Sequence, residues 1–364
     1  MDDKTKEVFS GARILVTGGT GSIGKEIVRQ LLQYNPGKIA IFSRNEYSQY
    51  LMMQRFQEHE DKLEFLIGDV RDKERLRTAV KGMDFVFHAA ALKHVPLCEI
   101  NPYEAVKTNV LGTQNIVEVC QGNSVKRVVL ISTDKAVEAI NAMGATKLLA
   151  EHLFSAANCS SSEGDPIFSS VRFGNVLGSK GSVIPAFINQ LVREHAITIT
   201  DEQMTRFFMS TAQAVKLVFK ACAKAKGGEV FILKMPVMMV KDLAEILIEE
   251  YNKLNHGVKV TIKIIGIRPG EKLWEDLLSP SEIRYLRETE DMFILDRLLM
   301  NTEESDVEQY SSRKIAPISR EELREILGNE GIIDLLKYLH ATDCIRTSQY
   351  SRSFEGLLES YNYF

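Results

Sequence analysis

Short apolar runs alternate with longer amphipathic stretches along the first half of the chain. This pattern predicts strands at 13–17, 38–43, 63–68, 84–90, 127–132 and 167–173, separated by helices that include 22–33, 102–121 and 143–157. Strands that are apolar along their whole length are typical of a parallel sheet covered by helices on both faces. We therefore expect an α/β fold with a doubly wound parallel sheet and a ligand at the carboxyl ends of its strands.

The alternation weakens after residue 175. Short strands at 196–200, 229–233, 260–265 and 292–295 mix there with helices at 212–225 and 241–252. No proline- or glycine-rich linker separates the halves, so the second half is expected to form a smaller C-terminal α/β substrate lobe. The predicted organisation is a Rossmann-type domain at 1–175, to which later segments return, a lobe at 176–300, and a C-terminal extension at 301–364. The extension contains one predicted helix near 319–327, and the pattern leaves its role open.

The composition of the 364-residue chain is that of an ordinary globular protein, with 45% hydrophobic and 26% charged residues. The net charge of −4 provides no basic surface for nucleic acid or an anionic membrane, and no apolar run approaches the ~20 residues of a bilayer span. Five cysteines without CxxC spacing argue against a disulfide framework and a zinc site, so no metal is expected. Since the N-terminus also lacks the apolar core of a signal peptide, these features predict a cytoplasmic protein without nucleic-acid or membrane partners.

A glycine-rich turn follows the first strand. In RILVTGGTGSIG, Gly18, Gly21 and Gly24 recur at three-residue spacing between a predicted strand and a predicted helix. The first glycine permits a tight turn, the second lets the backbone approach a pyrophosphate, and the third lets the helix pack closely on the strand. The N-terminus of the helix then faces the anion. A surface turn is the alternative, but strand, glycines and helix follow in the order that a dinucleotide site requires.

The end of the second strand bears on the choice of dinucleotide. Ser43 followed by Arg44 suits the 2′-phosphate of NADP better than the free hydroxyl of NAD, because a guanidinium pairs well with phosphate. Alternatively, Arg44 is a solvated loop residue and Asn45 or Glu46 holds the ribose. NADP is therefore the expected cofactor, with NAD as the alternative. Further cofactor contacts are expected at the glycine turn and at the ends of the third and fourth strands, from Thr20, Ser22, Ile23, Asp69, Val70, Ala89 and Ala90.

Several motifs together resemble the extended short-chain dehydrogenase/reductase superfamily over residues 10–300. They are ALKHVPLCEINPYEAVKTNVLGT, STDKAV, MGATK, RFGNVLGSKGSVIP, MTRFFMS and IRPGEKLWEDLL. In this order they are similar to the nucleotide-sugar 4,6-dehydratases, above all to those that act on UDP-N-acetylglucosamine. The resemblance implies a hydro-lyase with a tightly bound NADP that is recycled in each turnover. It also implies that the lobe at 176–300 binds a UDP-sugar, and that the chain forms a homo-oligomer through helices flanking the fourth and fifth strands.

The stretch STDKAVEAINAMGATK at 132–147 carries the expected chemistry. The resemblance assigns Asp134 as the acid that protonates the departing C6 hydroxyl, Lys135 as the base at C5, and Thr133 as the hydrogen-bond partner of the C4 oxygen. An acid and an amine side by side in a water-poor pocket can shift each other's pKa towards the working pH. A solvated ion pair is the alternative for these residues taken alone.

Met143 departs from the Tyr-x-x-x-Lys motif of the superfamily, whereas Lys147 keeps its place one helical turn later. Lys147 is expected to contact the nicotinamide ribose, but a thioether cannot relay a proton. The resemblance therefore implies that Asp134 or Lys135 handles the C4 proton, directly or through water. Because inverting relatives generally keep the tyrosine, retention of configuration at C5 is expected. Inversion or epimerisation at C5, and a catalytically silent nucleotide-sugar-binding protein, are the alternatives.

The same resemblance implies several substrate contacts. Lys93 and His94 follow the fourth strand, beside the expected sugar, although exposed loop charges are the alternative for both. Asn175 matches an asparagine that commonly contacts the diphosphate. Ser182 and Val183 match the segment that frames the uracil, where backbone groups make the contacts.

Two arginines and a glutamate complete the implied substrate site. Arg206 and Arg268 are expected to clamp the diphosphate or the uridine, since a guanidinium matches phosphate bidentately. Glu271 is expected to bind the uridine ribose. Structural salt bridges are the alternative for Arg268 and Glu271.

Overall fold

The computed structural model describes residues 3–159, 162–254, 259–297 and 309–341. These residues form two compact units. The first unit contains the chain up to Phe173 together with Ala212–Lys234 and Asp276–Tyr310. The second contains Gly174–Thr211, Met235–Glu275 and the chain from Ser311 onward. Each unit is therefore assembled from segments that lie far apart in the sequence.

Strands and helices alternate along the described residues. The strands are β1 (Arg13–Thr17), β2 (Lys38–Ser43), β3 (Leu63–Ile67), β4 (Phe85–His88), β5 (Arg127–Ile131), β6 (Ile167–Arg172), β7 (Asn175–Val176), β8 (Ala196–Ile199), β9 (Thr205–Met209), β10 (Val230–Leu233), β11 (Val237–Met239), β12 (Thr261–Ile264), β13 (Asp276–Leu278), β14 (Leu286–Glu288), β15 (Met292–Leu295) and β16 (Tyr310–Ser311). The helices are α1 (Asp3–Phe9), α2 (Ser22–Leu31), α3 (Glu46–Arg55), α4 (Lys73–Val80), α5 (Val95–Ile100), α6 (Pro102–Ala105), α7 (Gly112–Gln121), α8 (Ala142–Ala157), α9 (Val183–Glu194), α10 (Thr211–Lys224), α11 (Val240–Leu254), α12 (Arg320–Asn329) and α13 (Ile332–Ala341).

The first unit is built on one sheet, which among the described residues has nine strands in the order β14-β15-β10-β6-β5-β4-β1-β2-β3. Neighbours from β3 to β10 run parallel, and β15 and β14 continue the sheet antiparallel. The run β3-β2-β1-β4-β5-β6 is the order of a doubly wound dinucleotide-binding sheet, which confirms the predicted fold class. The order reverses between β1 and β4, and in doubly wound sheets this is the position at which ligands bind, outside the carboxyl ends of the strands.

Both faces of this sheet are buried. Leu15 and Val86 on one face pack in a cluster with Phe154 of α8, and all three side chains are at most 1% exposed. On the other face, the ring of Phe87 lies 5.4 Å from that of Phe219 on α10. Because successive strand residues point to opposite faces, burial on both sides explains why the strands are apolar throughout.

Many predicted boundaries are displaced by one or two residues, and two differences bear on the site. The predicted helix at 102–121 is present, but its middle, Val106–Leu111, is π-helical and joins α6 to α7. Such widened turns occur mostly where a helix serves a functional site. Strand β4 ends at His88, two residues before its predicted end. Ala89 and Ala90 have left the sheet and run past the glycine turn, as described below.

The second unit has two small sheets among its described residues, β11-β9-β7 and β12-β8. Its core joins Phe208 of β9 and Leu243 of α11 to Leu323 of α12 and Leu336 of α13. Ser319 is the N-cap of helix α12 and forms a reciprocal capping box with Glu322. This helix matches the one predicted near 319–327. The extension at 301–364 therefore contributes core residues to this unit, while 301–308 and 342–364 lie outside the described residues.

Candidate active site

Backbone crowding explains the spacing of the glycines in the turn after β1. Gly18 has a φ of +66°, and its N–H donates to the carbonyl of Phe42 at 2.8 Å. A Cβ atom at Gly18 would lie 2.7 Å from the backbone nitrogen of Ala90, and one at Gly24 would lie 2.3 Å from the carbonyl oxygen of Gly18. Larger residues would therefore push apart the turn, the end of β4 and helix α2, in agreement with the tight turn predicted at Gly18 and the close packing predicted at Gly24.

Helix α2 presents an N-terminus suited to an anion. Gly21 is its N-cap, no side chain in the described residues caps it, and its first turn contains no acidic residue. Thr20, Ser22 and Ile23 are half-buried around this end of the helix. Backbone N–H groups and the positive end of the helix dipole favour a phosphate here. The observed turn thus fits the pyrophosphate of a dinucleotide.

Three buried polar side chains form a hydrogen-bonded row next to the glycine turn. Oγ1 of Thr17 lies 2.7 Å from Nδ1 of His88, whose Nε2 lies 3.2 Å from Oγ1 of Thr113. Burial and, to a smaller extent, the positive charge of Lys147 together lower the pKa of His88 to about 3, so this histidine is neutral at physiological pH. It links the ends of β1 and β4 to helix α7 rather than exchanging protons. The sequence analysis assigned His88 no role.

At the end of β2, the residues predicted to select the cofactor occupy different environments. Ser43 is buried, and its hydroxyl accepts a hydrogen bond from Gln49 at 3.1 Å. The side chain of Arg44 is 55% exposed, with its guanidinium 3.7 Å from Asp69. The side chain of Asn45 caps α3 by accepting from a backbone N–H at 2.8 Å, so it is already used by that helix. Of the alternatives, Arg44 and Glu46 thus remain exposed at this edge.

The ends of β3 and β4 provide the remaining predicted cofactor residues. Burial raises the pKa of Asp69, but hydrogen bonds from Arg71 outweigh this effect, so that the pKa is lowered and the carboxylate stays charged. Val70 is 4% exposed and its side chain packs in the sheet core, which leaves only its backbone for a ligand. Ala89 and Ala90 are half-buried beside the glycine turn.

The segment after β5 forms a short 3₁₀ turn, Asp134–Ala136, in which three predicted catalytic residues meet. Asp134 is fully buried. Its Oδ1 accepts from the hydroxyl of Thr133 at 2.8 Å and from Nζ of Lys135 at 3.0 Å. Its Oδ2 is also buried, and no described residue hydrogen-bonds it. Since buried polar atoms are normally paired, Oδ2 is the position at which a ligand hydroxyl can bind. The side chain of Lys135 is 24% exposed, so the pair is not the solvated ion pair of the alternative interpretation.

Helix α8 places Lys147 next to this turn. The side chain is buried, and Nζ donates to the carbonyl of Ile131 in β5. Burial lowers the pKa of Lys147 to about 8, and the nearby carboxylate of Glu151 acts in the opposite direction. The amine therefore titrates within reach of physiological pH.

The side chain of Met143 belongs to a small apolar cluster rather than to a polar network. It is 4% exposed and packs with Cys98 of α5 and Ala105 of α6. The methionine therefore fills space between α8 and its neighbouring helices, as expected of a thioether that offers no proton.

A buried charge network, which the sequence patterns do not reveal, contacts Ser132 just before the Thr133–Lys135 turn. Glu151 of α8 and Arg172 of β6 are fully buried and form an ion pair at 2.6 Å, and Glu282 joins them at 3.0 Å from Arg172. An arginine at the end of a strand predicted to be buried was the available signal, because a charged residue is almost never fully buried unless it is paired.

The residues predicted beside the sugar follow β4. Lys93 and His94 are exposed. The preceding Leu92 is held by Asn109 of the π-helical segment, which donates to its carbonyl at 3.0 Å and accepts from its N–H at 2.8 Å. Asn109 also donates to the hydroxyl of Thr146 on α8 at 3.0 Å. The widened helix thus fastens the Lys93 loop to the helix that carries Lys147.

The predicted substrate residues beyond 173 all lie in the second unit. Arg206 is 6% exposed and donates to three backbone carbonyls, those of Thr205 at 2.7 Å, Lys272 at 2.7 Å and Leu273 at 3.0 Å. Its guanidinium therefore holds the 272–273 backbone in place, and two of its nitrogens are committed to that task.

The other members of this set are more accessible. Arg268 is exposed, and its backbone N–H donates to Glu271 at 3.2 Å. Asn175 begins β7, and Ser182 precedes α9, whose first residue is Val183. The Ser182 hydroxyl is buried without a hydrogen-bond partner among the described residues. The uncapped start of α9 gives this segment backbone donors for a ligand, as the sequence predicts.

Within the described part of the chain, no group of three or more His, Cys, Asp or Glu side chains could hold a metal ion. None of the helices described is long and apolar enough to cross a membrane.

Comparison with known proteins identifies relatives over most of the chain. Residues 14–297 match the family model described as polysaccharide biosynthesis protein. A protein of Methanocaldococcus jannaschii named as an uncharacterized membrane protein is 51% identical over 325 residues, which cover 88% of this chain and 96% of that one. A UDP-N-acetylglucosamine 4,6-dehydratase (inverting) of Campylobacter jejuni is 44% identical over 291 residues, covering 79% of this chain and 84% of the relative. The crystal structure of Pen from Bacillus thuringiensis aligns with a TM-score of 0.84 at 44% identity, over 88% of this chain and 98% of Pen.

These relatives confirm the recognised family, but they do not support the expected retention at C5. The Campylobacter enzyme is named as inverting. The prediction of retention depended on Met143 alone. Because that side chain packs in an apolar cluster, it carries no information about the face on which a proton is returned.

Proposed function

Since the chain belongs to the polysaccharide biosynthesis protein family of extended short-chain dehydrogenase/reductases, we propose that it is a UDP-N-acetylglucosamine 4,6-dehydratase that inverts C5. The observation that carries the proposal is the buried Asp134, whose Oδ1 is held by Thr133 and Lys135 while Oδ2 is left for a ligand. The name of the Campylobacter relative supports both the substrate and the stereochemical course.

The residues of the first unit fit a bound dinucleotide, and we propose that residues 1–175 form the NADP(H)-binding domain. The glycine turn and the N-terminus of α2 would hold the pyrophosphate, Lys147 the nicotinamide ribose and Arg44 the 2′-phosphate. Bound NADP would supply the hydride acceptor for C4 of the sugar and the hydride donor for C6. NAD is the alternative, with Glu46 at the adenosine ribose.

The Asp134–Lys135 pair can supply both the acid and the base of the elimination. Moving one proton along the 3.0 Å hydrogen bond from Nζ to the carboxylate converts the ion pair into a carboxylic acid and a neutral amine. The amine of Lys135 then removes the C5 proton, and Asp134 protonates the departing C6 hydroxyl, which leaves as water.

Thr133 completes the arrangement. Its hydroxyl donates to Oδ1 of Asp134 in the protein alone, and it can turn to donate to the C4 oxygen when the sugar is bound. Because the thioether of Met143 cannot relay a proton, the neutral amine of Lys135 accepts the C4 hydroxyl proton, directly or through water. Lys135, whose side chain is 24% exposed, releases that proton to solvent before it removes the C5 proton. Lys135 thus acts as the base at both carbons, in a course that uses no tyrosine.

We extend the proposal to the partners of the enzyme. The lobe at 176–300 would bind the UDP moiety through Asn175, Ser182, Val183, Arg268 and Glu271, while Arg206 fixes the backbone at 272–273. Lys93 and His94 are proposed as contacts of the sugar. Homo-oligomer formation is supported by exposed apolar side chains on α5 to α8, namely Leu97, Ile100, Tyr103 and Leu149.

The enzyme would act in the cytoplasm, in agreement with the unpaired thiols of Cys98, Cys120, Cys159 and Cys222.

A product assay tests the activity. Purified enzyme incubated with UDP-N-acetylglucosamine should yield a UDP-sugar lighter by one water in mass spectrometry. Asp134→Asn should lower kcat by about 10²–10⁴-fold while UDP-sugar binding, measured by calorimetry, persists. The exposed Asp61→Asn is the matched control and should match the wild type. A wild type that binds the UDP-sugar without converting it would instead be the silent binding protein of the alternative interpretation.

The cofactor has a separate test. Protein denatured after purification should release NADP, and Arg44→Ala should reduce the NADP content more than the NAD content. Release of NAD alone from the wild type would contradict the assignment of Arg44 to a 2′-phosphate.

A further inference from the structure

Ser132, the residue immediately before the catalytic turn, is tied to helix α8. It is 3% exposed, and its hydroxyl donates to Oε1 of Glu151 at 2.6 Å. Glu151 is fully buried and lies one helical turn after Lys147, so both side chains occupy the same face of α8. The Ser132–Glu151 hydrogen bond therefore connects the end of β5, which leads into Thr133–Lys135, with the helix that carries Lys147.

Glu151 is itself held from several directions. Arg172 donates to Oε1 through Nε at 3.0 Å and to Oε2 through Nη2 at 2.6 Å, which is a bidentate pair. The same arginine binds both carboxylate oxygens of Glu282 at 3.0 Å and the carbonyl of Leu277 at 3.0 Å. Arg297 donates to Glu282 at 3.0 Å and to Glu151 at 3.3 Å. Two carboxylates and two guanidinium groups thus balance in charge.

The charges of this network are fixed. Burial raises the pKa of Glu151, but the guanidinium of Arg172 outweighs this effect and the pKa is lowered. The same competition lowers the pKa of Glu282 to about 2. Both carboxylates are therefore ionised at any working pH, and Oε1 of Glu151 is a permanent acceptor for Ser132.

Net stability does not account for such a network. Removing four charges from water is costly, and well-packed apolar residues of similar size are often as stabilising as a buried ion network. What the network does provide is geometry, because a bidentate Arg–carboxylate pair allows little movement of either partner. The immobilised oxygen is the one to which Ser132 is bound.

We propose that Ser132 and Glu151 are positioning residues that hold the Thr133–Lys135 turn and Lys147 in a fixed relation to each other. The inference rests on the proposed dehydratase function. The elimination needs the acid, the base and the cofactor-binding amine placed on one sugar, and a misplacement of the order of 1 Å can cost about 10²-fold in rate. Without the Ser132 hydrogen bond, the turn keeps its backbone contact with Gly144 and the Lys147–Ile131 hydrogen bond nearby, but it loses its attachment to the immobilised Glu151 carboxylate.

The decisive experiment compares two buried serines of the same sheet. Ser132→Ala removes the link to Glu151 and leaves the ionic network intact. Ser169→Ala is the matched control, since Ser169 is 1% exposed on β6 and its hydroxyl has no hydrogen-bond partner among the described residues. For each variant, kcat and KM for UDP-N-acetylglucosamine are measured together with the thermal midpoint.

We expect Ser132→Ala to lower kcat about tenfold or more, with KM changed less than about twofold, and Ser169→Ala to match the wild type. Ser132→Thr, which keeps the hydroxyl, should restore most of the rate. Equal kcat values for the two alanine variants overturn the inference, as does a loss of Ser132→Ala activity that follows only from a lower thermal midpoint. An inactive wild type overturns the proposed function and this inference with it, so the two failures are distinguishable.

Discussion

Gly144 and Lys135 meet through their backbones, since a Cβ atom at Gly144 would lie 2.1 Å from the carbonyl oxygen of Lys135. The first turn of α8 therefore rests directly on the catalytic turn, and the absence of a side chain at Gly144 sets the distance between them. Gly144 follows Met143 in the motif MGATK, so the motif contains a packing requirement as well as the lysine that we propose binds the cofactor.

We expect Gly144→Ala to displace the catalytic turn and lower kcat at least about tenfold, because no rotamer change can relieve a clash with a backbone oxygen. Gly328→Ala is the control, being a helical glycine whose Cβ would meet nothing closer than 3.9 Å. That variant should keep full activity and gain up to about 1 kcal/mol of stability. Steady-state kinetics and urea unfolding measure both effects. Full activity of Gly144→Ala would show that the turn does not depend on this contact.

Met143→Leu should leave kcat within about twofold of the wild type. The side chain packs with Cys98 and Ala105, and leucine conserves its volume at a cost below about 1.5 kcal/mol. Steady-state assays of the two proteins at equal cofactor content provide the measurement. A loss of tenfold or more would mean that the sulfur takes part in the chemistry, contrary to the assignment of proton transfer to Asp134 and Lys135.

The buried amine of Lys147 should make stability depend on pH with a defined sign. Its pKa is about 8 in the folded protein and 10.5 in the ordinary exposed state, so between these values the unfolded chain binds more protons. Stability contributed by this site therefore rises with pH through that window. The gain in unfolding free energy from Lys147→Met should thus be larger at pH 7 than at pH 10. Urea titrations at both values measure it, with the exposed Lys81→Met as control. An equal gain at the two pH values would contradict the burial of the amine.

Helix α13 should be essential to the second unit. Leu336 is fully buried in the core that α11, α12 and α13 share, so Leu336→Ala should cost about 2–5 kcal/mol of unfolding free energy. Lys337→Ala, on the exposed face of the same helix, should change it by less than about 0.5 kcal/mol. Similar urea midpoints for the two variants would indicate that the helix is dispensable.

Local patterns in the sequence were sufficient to predict the sheet and the glycine turn. The strands of the first unit are apolar runs, and a turn such as 18–24 is specified by neighbours in the chain, so both can be predicted without knowledge of tertiary contacts. The Asp134–Lys135 pair could also be recognised in the sequence, because its two residues are adjacent.

Contacts between distant segments were not predictable in the same way. Glu151 meets Arg172 and Glu282 only because three separate elements converge behind β5, and no spacing in the sequence expresses that. The hydroxyl of Ser43 accepts from Gln49, and Arg206 binds backbone carbonyls near 272, which a motif cannot reveal. The prediction of retention at C5, which the inverting relative does not support, has a related weakness, because it used one residue type to infer the geometry of a whole pocket.

We propose that the Asp134–Lys135 pair eliminates water from UDP-N-acetylglucosamine and that C5 is inverted. Proton NMR of the product formed in D₂O tests both statements most directly. We predict a 6-deoxy-4-keto sugar with deuterium at C5 and coupling constants of the C5-inverted configuration, formed by the wild type and not by Asp134→Asn. Gluco-type coupling constants at C5 would contradict inversion, and unchanged substrate would contradict the dehydratase itself.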